Sequence, residues 1–257
     1  MRQASRQFEV RNSRFLFNAR QALSIIQLRD GLFENCDFSY TGYIDADGRT
    51  GPYGSHSPGA GVDIEPNRTP EGANSVDVLT GDIVLRGCRL IGNAGAALVA
   101  AKYSRGIGFI EQVTIESCLL KCNDGVVNGR DGFIFDVQGG VVRNCTLRMR
   151  DKTAYLGWYP ESDASPRFMD NKVYGRNPGR NHPIFAVRPT RGGPVVERNR
   201  FAGQQSSPKD PRGAWLVFID NSRATLRANI VFAPSAAFPK SAGPASVPVV
   251  FANAGLM

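Results

Sequence analysis

The sequence predicts an all-β solenoid, a stack of coils built from short parallel strands, and three observations carry that prediction. A six-residue phrase recurs along the chain: apolar, any, small polar, Cys or Asn, any, apolar. Its copies read VRNSRF, FENCDF, LRGCRL, IESCLL, VRNCTL, FMDNKV, VERNRF and LRANIV, with fourth positions Ser13, Cys36, Cys88, Cys118, Cys145, Asn171, Asn199 and Asn229. Successive gaps are 23, 52, 30, 27, 26, 28 and 30 residues, a period near 28 with one long insertion. A repeat of that length is one supersecondary unit stacked on itself. Secondly, a Gly/Asn/Asp turn and a third apolar run follow the phrase. Finally, no segment sustains apolar spacing of three and four, so helices should be few or absent. Helical repeat arrays are thereby excluded, and the leucine-rich skeleton L-x-x-L-x-L is missing.

Each phrase reads as strand, tight polar corner, strand. The third strand of each coil is expected, in order, at ALSIIQL, GVDIEP, ALVAAK, VVNGR, AYLGWY, IFAVR and AWLVFID. Arg188 precedes Pro189 and should close its strand, because proline restricts the residue before it. Stacking the coils aligns the fourth positions of the phrase in one ladder. Asn amides there satisfy corner backbone groups, and Cys serves as a compact apolar filler. The five cysteines are therefore expected as reduced interior residues. Residues 1–257 form a single domain of about nine coils, roughly 40 Å long at about 4.8 Å per coil. Residues 233–257 are a tail or last coil, in which VPVVFANAG looks like one more strand.

This repeat resembles the right-handed parallel β-helix proteins of the pectate-lyase-like superfamily. The resemblance runs from Phe8 to Phe232 and rests on the repeat and on the segment Gly61 to Asn67, GVDIEPN. It implies a right-handed coil and a functional groove along the outer face of the third strands. It does not name a reaction, since this fold hosts lyases, hydrolases, epimerases, esterases, tailspikes and adhesins.

Bulk properties narrow the partners. An apolar content of 42% fills a solenoid interior, and a net charge of +8 favours polyanions. Acidic polysaccharide is the expected partner. Nucleic acid is not expected, because the Lys and Arg are scattered without a run of five or an RNA-type stacking motif. No run of 18 apolar residues is present, so no membrane span is expected, and MRQASRQFEVRNSRF is no secretory segment. The chain opens almost directly on a repeat, whereas solenoid ends need caps. The expectation is a domain lacking its N-terminal cap, and a secreted, periplasmic or virion-associated protein if an upstream export signal exists.

Chemistry is expected on the third strands. Alternation turns Val62 and Ile64 inward and Asp63 and Glu65 outward as a carboxylate pair. Lys102, Arg130 and Arg188 mark the ends of later third strands, with Asp131 and Asp220 nearby. A polysaccharide lyase needs cations or Ca²⁺ to neutralise a uronate, and a base to remove the adjacent proton. Lys102 is the better base on intrinsic pKa, with Arg130 second, and Asp63 and Glu65 are candidate calcium ligands. A glycoside hydrolase instead needs two carboxylates about the glycosidic bond, which Asp63 and Glu65 supply. Arg188, Asp131 and Asp220 are candidate substrate contacts. So are His56 in the long insertion, His182 before a strand, and Trp158 beside Tyr155 and Tyr159. Asp45 and Asp47 in DADG match only the first half of a calcium loop. The leading expectation is a lyase acting on an acidic polysaccharide. The alternatives are a carboxylate-pair hydrolase and a non-catalytic glycan-binding or structural β-helix.

Overall fold

A computed structural model describes residues 5–18, 20–42, 59–66, 79–101, 109–122, 131–150, 152–158, 162–177, 183–205, 217–219, 221 and 223–232. The first coil holds β1 (Ser5–Arg11), β2 (Arg14–Leu16) and β3 (Leu23–Ile25), and the second β4 (Leu28–Glu34), β5 (Asp37–Ser39) and β6 (Val62–Ile64). The third holds β7 (Leu79–Arg86), β8 (Arg89–Ile91) and β9 (Leu98–Ala100); the fourth β10 (Phe109–Glu116), β11 (Leu119–Lys121) and β12 (Asp131–Phe135). Then come β13 (Val141–Arg143), β14 (Thr146–Arg150) and β15 (Thr153–Leu156), followed by β16 (Arg167–Met169), β17 (Lys172–Asn177) and β18 (Phe185–Val187). Last are β19 (Val195–Glu197), β20 (Arg200–Gln205) and β21 (Val217–Ile219), with β22 (Thr225–Arg227) and β23 (Ile230–Phe232) beginning a further coil.

Strands at the same place in successive coils pair in parallel and build three sheets. The first runs β1-β4-β7-β10-β13-β16-β19-β22, the second β2-β5-β8-β11-β14-β17-β20-β23, and the third β3-β6-β9-β12-β15-β18-β21. The chain is thus an all-β parallel β-helix, and no described residue is helical. The ninth coil expected within 233–257 lies outside the described residues.

The repeated phrase encodes the corner between the first and second sheets. Its third position is left-handed in all eight copies: Asn12, Asn35, Gly87, Ser117, Asn144, Asp170, Arg198 and Ala228 have φ between +49° and +63°. Asn, Asp and Gly tolerate that region, which explains the small polar preference. The fourth position then turns inward. Cys145 N donates to Asn171 Oδ1 at 2.9 Å, Asn171 N to Asn199 Oδ1 at 2.9 Å, and Asn199 N to Asn229 Oδ1 at 3.0 Å. Cys88, Cys118 and Cys145 direct their thiols to carbonyl oxygens of the preceding coil, at 3.3–3.5 Å. All five cysteines are free and buried.

Inside, aromatic rings of the sixth and seventh coils pack at a tilt against one another. Phe168 to Phe185 and Phe185 to Phe201 are both 4.9 Å between centroids. Outside, the second position of the phrase forms a charge ladder, Arg11–Glu34–Arg86–Glu116–Arg143, in strict register. Ion pairs join each step. One strand assignment is corrected. In the fourth coil the third strand is Asp131–Phe135, whereas VVNGR had been expected there. Phe133 and Phe135 fix that strand, because their rings are wholly buried against the core. Residues 123–130 lie outside the described residues.

Candidate functional site

The site is set by how β6 enters the third sheet. A Cβ on Gly61 would lie 2.4 Å from Asn93 Nδ2 and 2.7 Å from the Ala97 carbonyl oxygen, so the chain passes there only as glycine. Asn93 is buried and locks this corner: its Oδ1 accepts from Thr41 N at 3.0 Å and its Nδ2 donates to the Phe38 carbonyl at 3.1 Å. Val62 and Ile64 enter the core with no exposed surface, which forces Asp63 to the other face of the strand.

That outer face holds a buried carboxyl and, farther along, an apolar cluster, while Ser24 beside Asp63 is exposed. Asp63 shares a register row with Ser24, Val99, Ile134, Tyr155 and Ala186. Ala101, Ile134, Tyr155 and Ala186 form a second buried apolar cluster, with Val99 and Trp158 packed against it. Asp63 is only 2% exposed. Its Oδ2 accepts a hydrogen bond from Gln21 Nε2 at 2.6 Å. Its Oδ1 is buried and has no hydrogen-bond partner among the described residues. Burial pushes the Asp63 carboxyl above its ordinary value, against the opposing pull of the Gln21 hydrogen bond and the Arg20 charge. Glu65, half-buried two residues on, is raised by burial and then by the Asp63 charge, again against Arg20. The two groups are a carboxyl pair that resists double ionisation.

The structure gathers Asp63, Glu65, Gln21 and Arg20, and it separates Arg188 from them. Arg188 lies one residue beyond β18, four strands from β6, or about 19 Å along the axis. Its guanidinium sits 4.6 Å from the Tyr155 ring centre and 4.8 Å from that of Trp158. The two rings meet edge to face at 5.4 Å. The cation therefore occupies the ring faces that would otherwise stack on a sugar. Asp136 lies in the row of Glu65, two coils on, buried and accepting from Ser162 Oγ at 2.6 Å. Asp131 is the first residue of β12, paired with Thr153. Lys102, Arg130, His56, His182 and Asp220 lie outside the described residues, as do Asp45, Asp47, Tyr159 and Trp215.

Sequence reasoning missed Gln21, Arg20, Asn93 and Asp136. Gln21 stands 42 residues from Asp63, and only the coil register brings them together. The calcium expectation does not fit what surrounds the pair. Calcium takes six to eight oxygens, whereas one Asp63 oxygen faces an amide N–H. No group of three or more metal-binding side chains occurs among the described residues. No helix among the described residues is long and apolar enough to cross a membrane. No protein-family model, curated protein or solved structure matches the chain.

Proposed function

We propose that the outer face of the third sheet cleaves the glycosidic bonds of an acidic polysaccharide, with Asp63 and Glu65 as an acid–base pair. The superfamily resemblance of the repeat supports a carbohydrate substrate, and the basic charge of the chain supports an acidic one. The observation that carries the reaction type is the unpartnered Asp63 Oδ1. Gln21 engages Oδ2, which leaves Oδ1 as the oxygen to carry the proton whose loss burial opposes, with no acceptor among the described residues. That O–H is the proton donor of the pair, and a glycosidic oxygen must displace what covers Oδ1 to accept from it.

The step then balances as hydrolysis. Asp63 Oδ1 gives its proton to the leaving oxygen as the bond to the anomeric carbon breaks. Glu65, the more exposed member, takes a proton from the water whose oxygen bonds to that carbon. Gln21 and Arg20 stabilise the Asp63 carboxylate left behind.

Incubation with a panel of polyuronates and neutral glycans tests this directly. New reducing ends without ultraviolet-absorbing unsaturated ends, lost in Asp63→Asn and in Glu65→Gln, are the expected result. Unsaturated ends would return the reaction to a lyase. Silence on every glycan from the folded protein would leave a binding or structural β-helix.

A further inference from the structure

The outer faces of the first two sheets treat charge in opposite ways. On the first, Arg11, Glu34, Arg86, Glu116 and Arg143 alternate in sign and neutralise one another. On the second, Asp37 and Arg89 of β5 and β8 pair, and beyond them Lys121, Arg148, Lys172 and Arg200 occupy four successive coils, all exposed. None of the four forms an ion pair with a described residue. Among the described side chains, the outward positions of β11, β14, β17 and β20 hold no acid. Register places Lys121 beside Arg148 and Tyr174, and Lys172 beside Arg200. Tyr174 is 42% exposed, a large ring left open beside a cation.

We infer that this face binds an extended, carboxylated polysaccharide lying lengthwise along the rod. One cation per coil, at about 4.8 Å, spans about 14 Å of the axis over the four coils, in two columns: Lys121 and Arg148, then Lys172 and Arg200 two residues back along the strand. An extended uronan presents one carboxylate per sugar at a comparable rise, and the Tyr174 ring offers an apolar surface to a pyranose. Nucleic acid fits less well. Duplex phosphates repeat at about 3.4 Å per strand, and single strands are held on successive aromatic platforms. Tyr174 is the only aromatic residue among those described side chains. The face is separate from the Asp63–Glu65 pair and binds whether or not that pair is catalytic.

The test is equilibrium binding of labelled oligogalacturonate to the whole chain across a salt series. A neutral glucan and single-stranded and duplex DNA oligonucleotides run alongside. Binding should weaken with salt, and the log–log slope should fall by about one for each contacting cation removed. Lys121→Ala/Arg148→Ala and Lys172→Ala/Arg200→Ala should each weaken binding roughly tenfold. Removing the same charge elsewhere, in Arg191→Ala/Arg227→Ala, should change it by less than about twofold. All these side chains are exposed, and a thermal melt of each variant confirms the fold. Equal losses in the control pair, or glucan binding as tightly, would overturn the inference. Tighter binding of either DNA would also overturn it, reassigning the face to nucleic acid. Binding is read without turnover, so an inactive carboxyl pair leaves this result untouched.

Discussion

Asn199 is where the ladder account is most exposed to failure. Its side chain is wholly buried. Oδ1 accepts from Asn171 N at 2.9 Å and from Asn171 Nδ2 at 3.1 Å, while Nδ2 donates to the Phe168 carbonyl at 2.8 Å and to Asn229 Oδ1 at 2.9 Å. Asn199→Ala leaves the Asn171 backbone N–H buried without its acceptor, at about 1–3 kcal/mol, and removes further hydrogen bonds with a net contribution near 1 kcal/mol. The expected loss is about 2–4 kcal/mol. Asn199→Cys should recover part of it. At the Cys rungs Cys145 Sγ donates to the Ile115 carbonyl at 3.5 Å and accepts from Cys118 N at 3.4 Å, so a thiol can serve both directions. Urea unfolding of the three proteins measures this order. An alanine variant within about 0.5 kcal/mol of the parent, the range of ordinary surface changes, would refute the reasoning. So would a cysteine variant no better than alanine.

Other sites give further expected outcomes. Ala228 holds φ +49° at a corner where other coils use Asn, so Ala228→Asn should stabilise by about 0.5–1 kcal/mol in the same urea assay. Gly61→Ala must displace Asn93 or the Ala97 carbonyl, and it should destabilise the fold and reduce glycan cleavage together. Glu116 is held below its ordinary value of 4.5 chiefly by its hydrogen bond from Arg86, aided by Arg143. Its stabilisation is therefore complete above about pH 4.5 and is lost as pH falls through the depressed value, so Glu116→Gln should flatten the acid limb of unfolding stability. Asp63 behaves oppositely. Its raised value gives stability that is present below 3.8 and lost as pH rises through the folded value. Asp63→Asn should thus be inactive yet gain stability at pH 7 relative to its change at pH 3.

The architecture was legible because one phrase carried both the corner conformation and the ladder. Asn12, Asn35, Asn144 and Asp170 announced a left-handed residue, while Arg198 and Ala228 share the same φ without advertising it. The charge ladder was also written in the phrase, in Arg11, Glu34, Arg86, Glu116 and Arg143. Its meaning needed the register that makes second positions neighbours across coils. Alternation placed Asp63 and Glu65 on the outer face, whereas the burial of Asp63 beside Gln21 and Val99 comes from neighbouring coils. The same limit applies to Gln21 and to the stacking of Arg188. These contacts join residues far apart in sequence, and no local pattern marks them.

The central claim is that Asp63 keeps its proton and hands it on. Site-resolved carbon-13 titration of the side-chain carboxyls measures this in the folded protein. The account predicts an Asp63 midpoint above its ordinary 3.8, a Glu65 midpoint above 4.5, and a fall of the Glu65 midpoint in Asp63→Asn. An Asp63 midpoint at or below 3.8 would contradict it, because a carboxylate already ionised has no proton to give a leaving group.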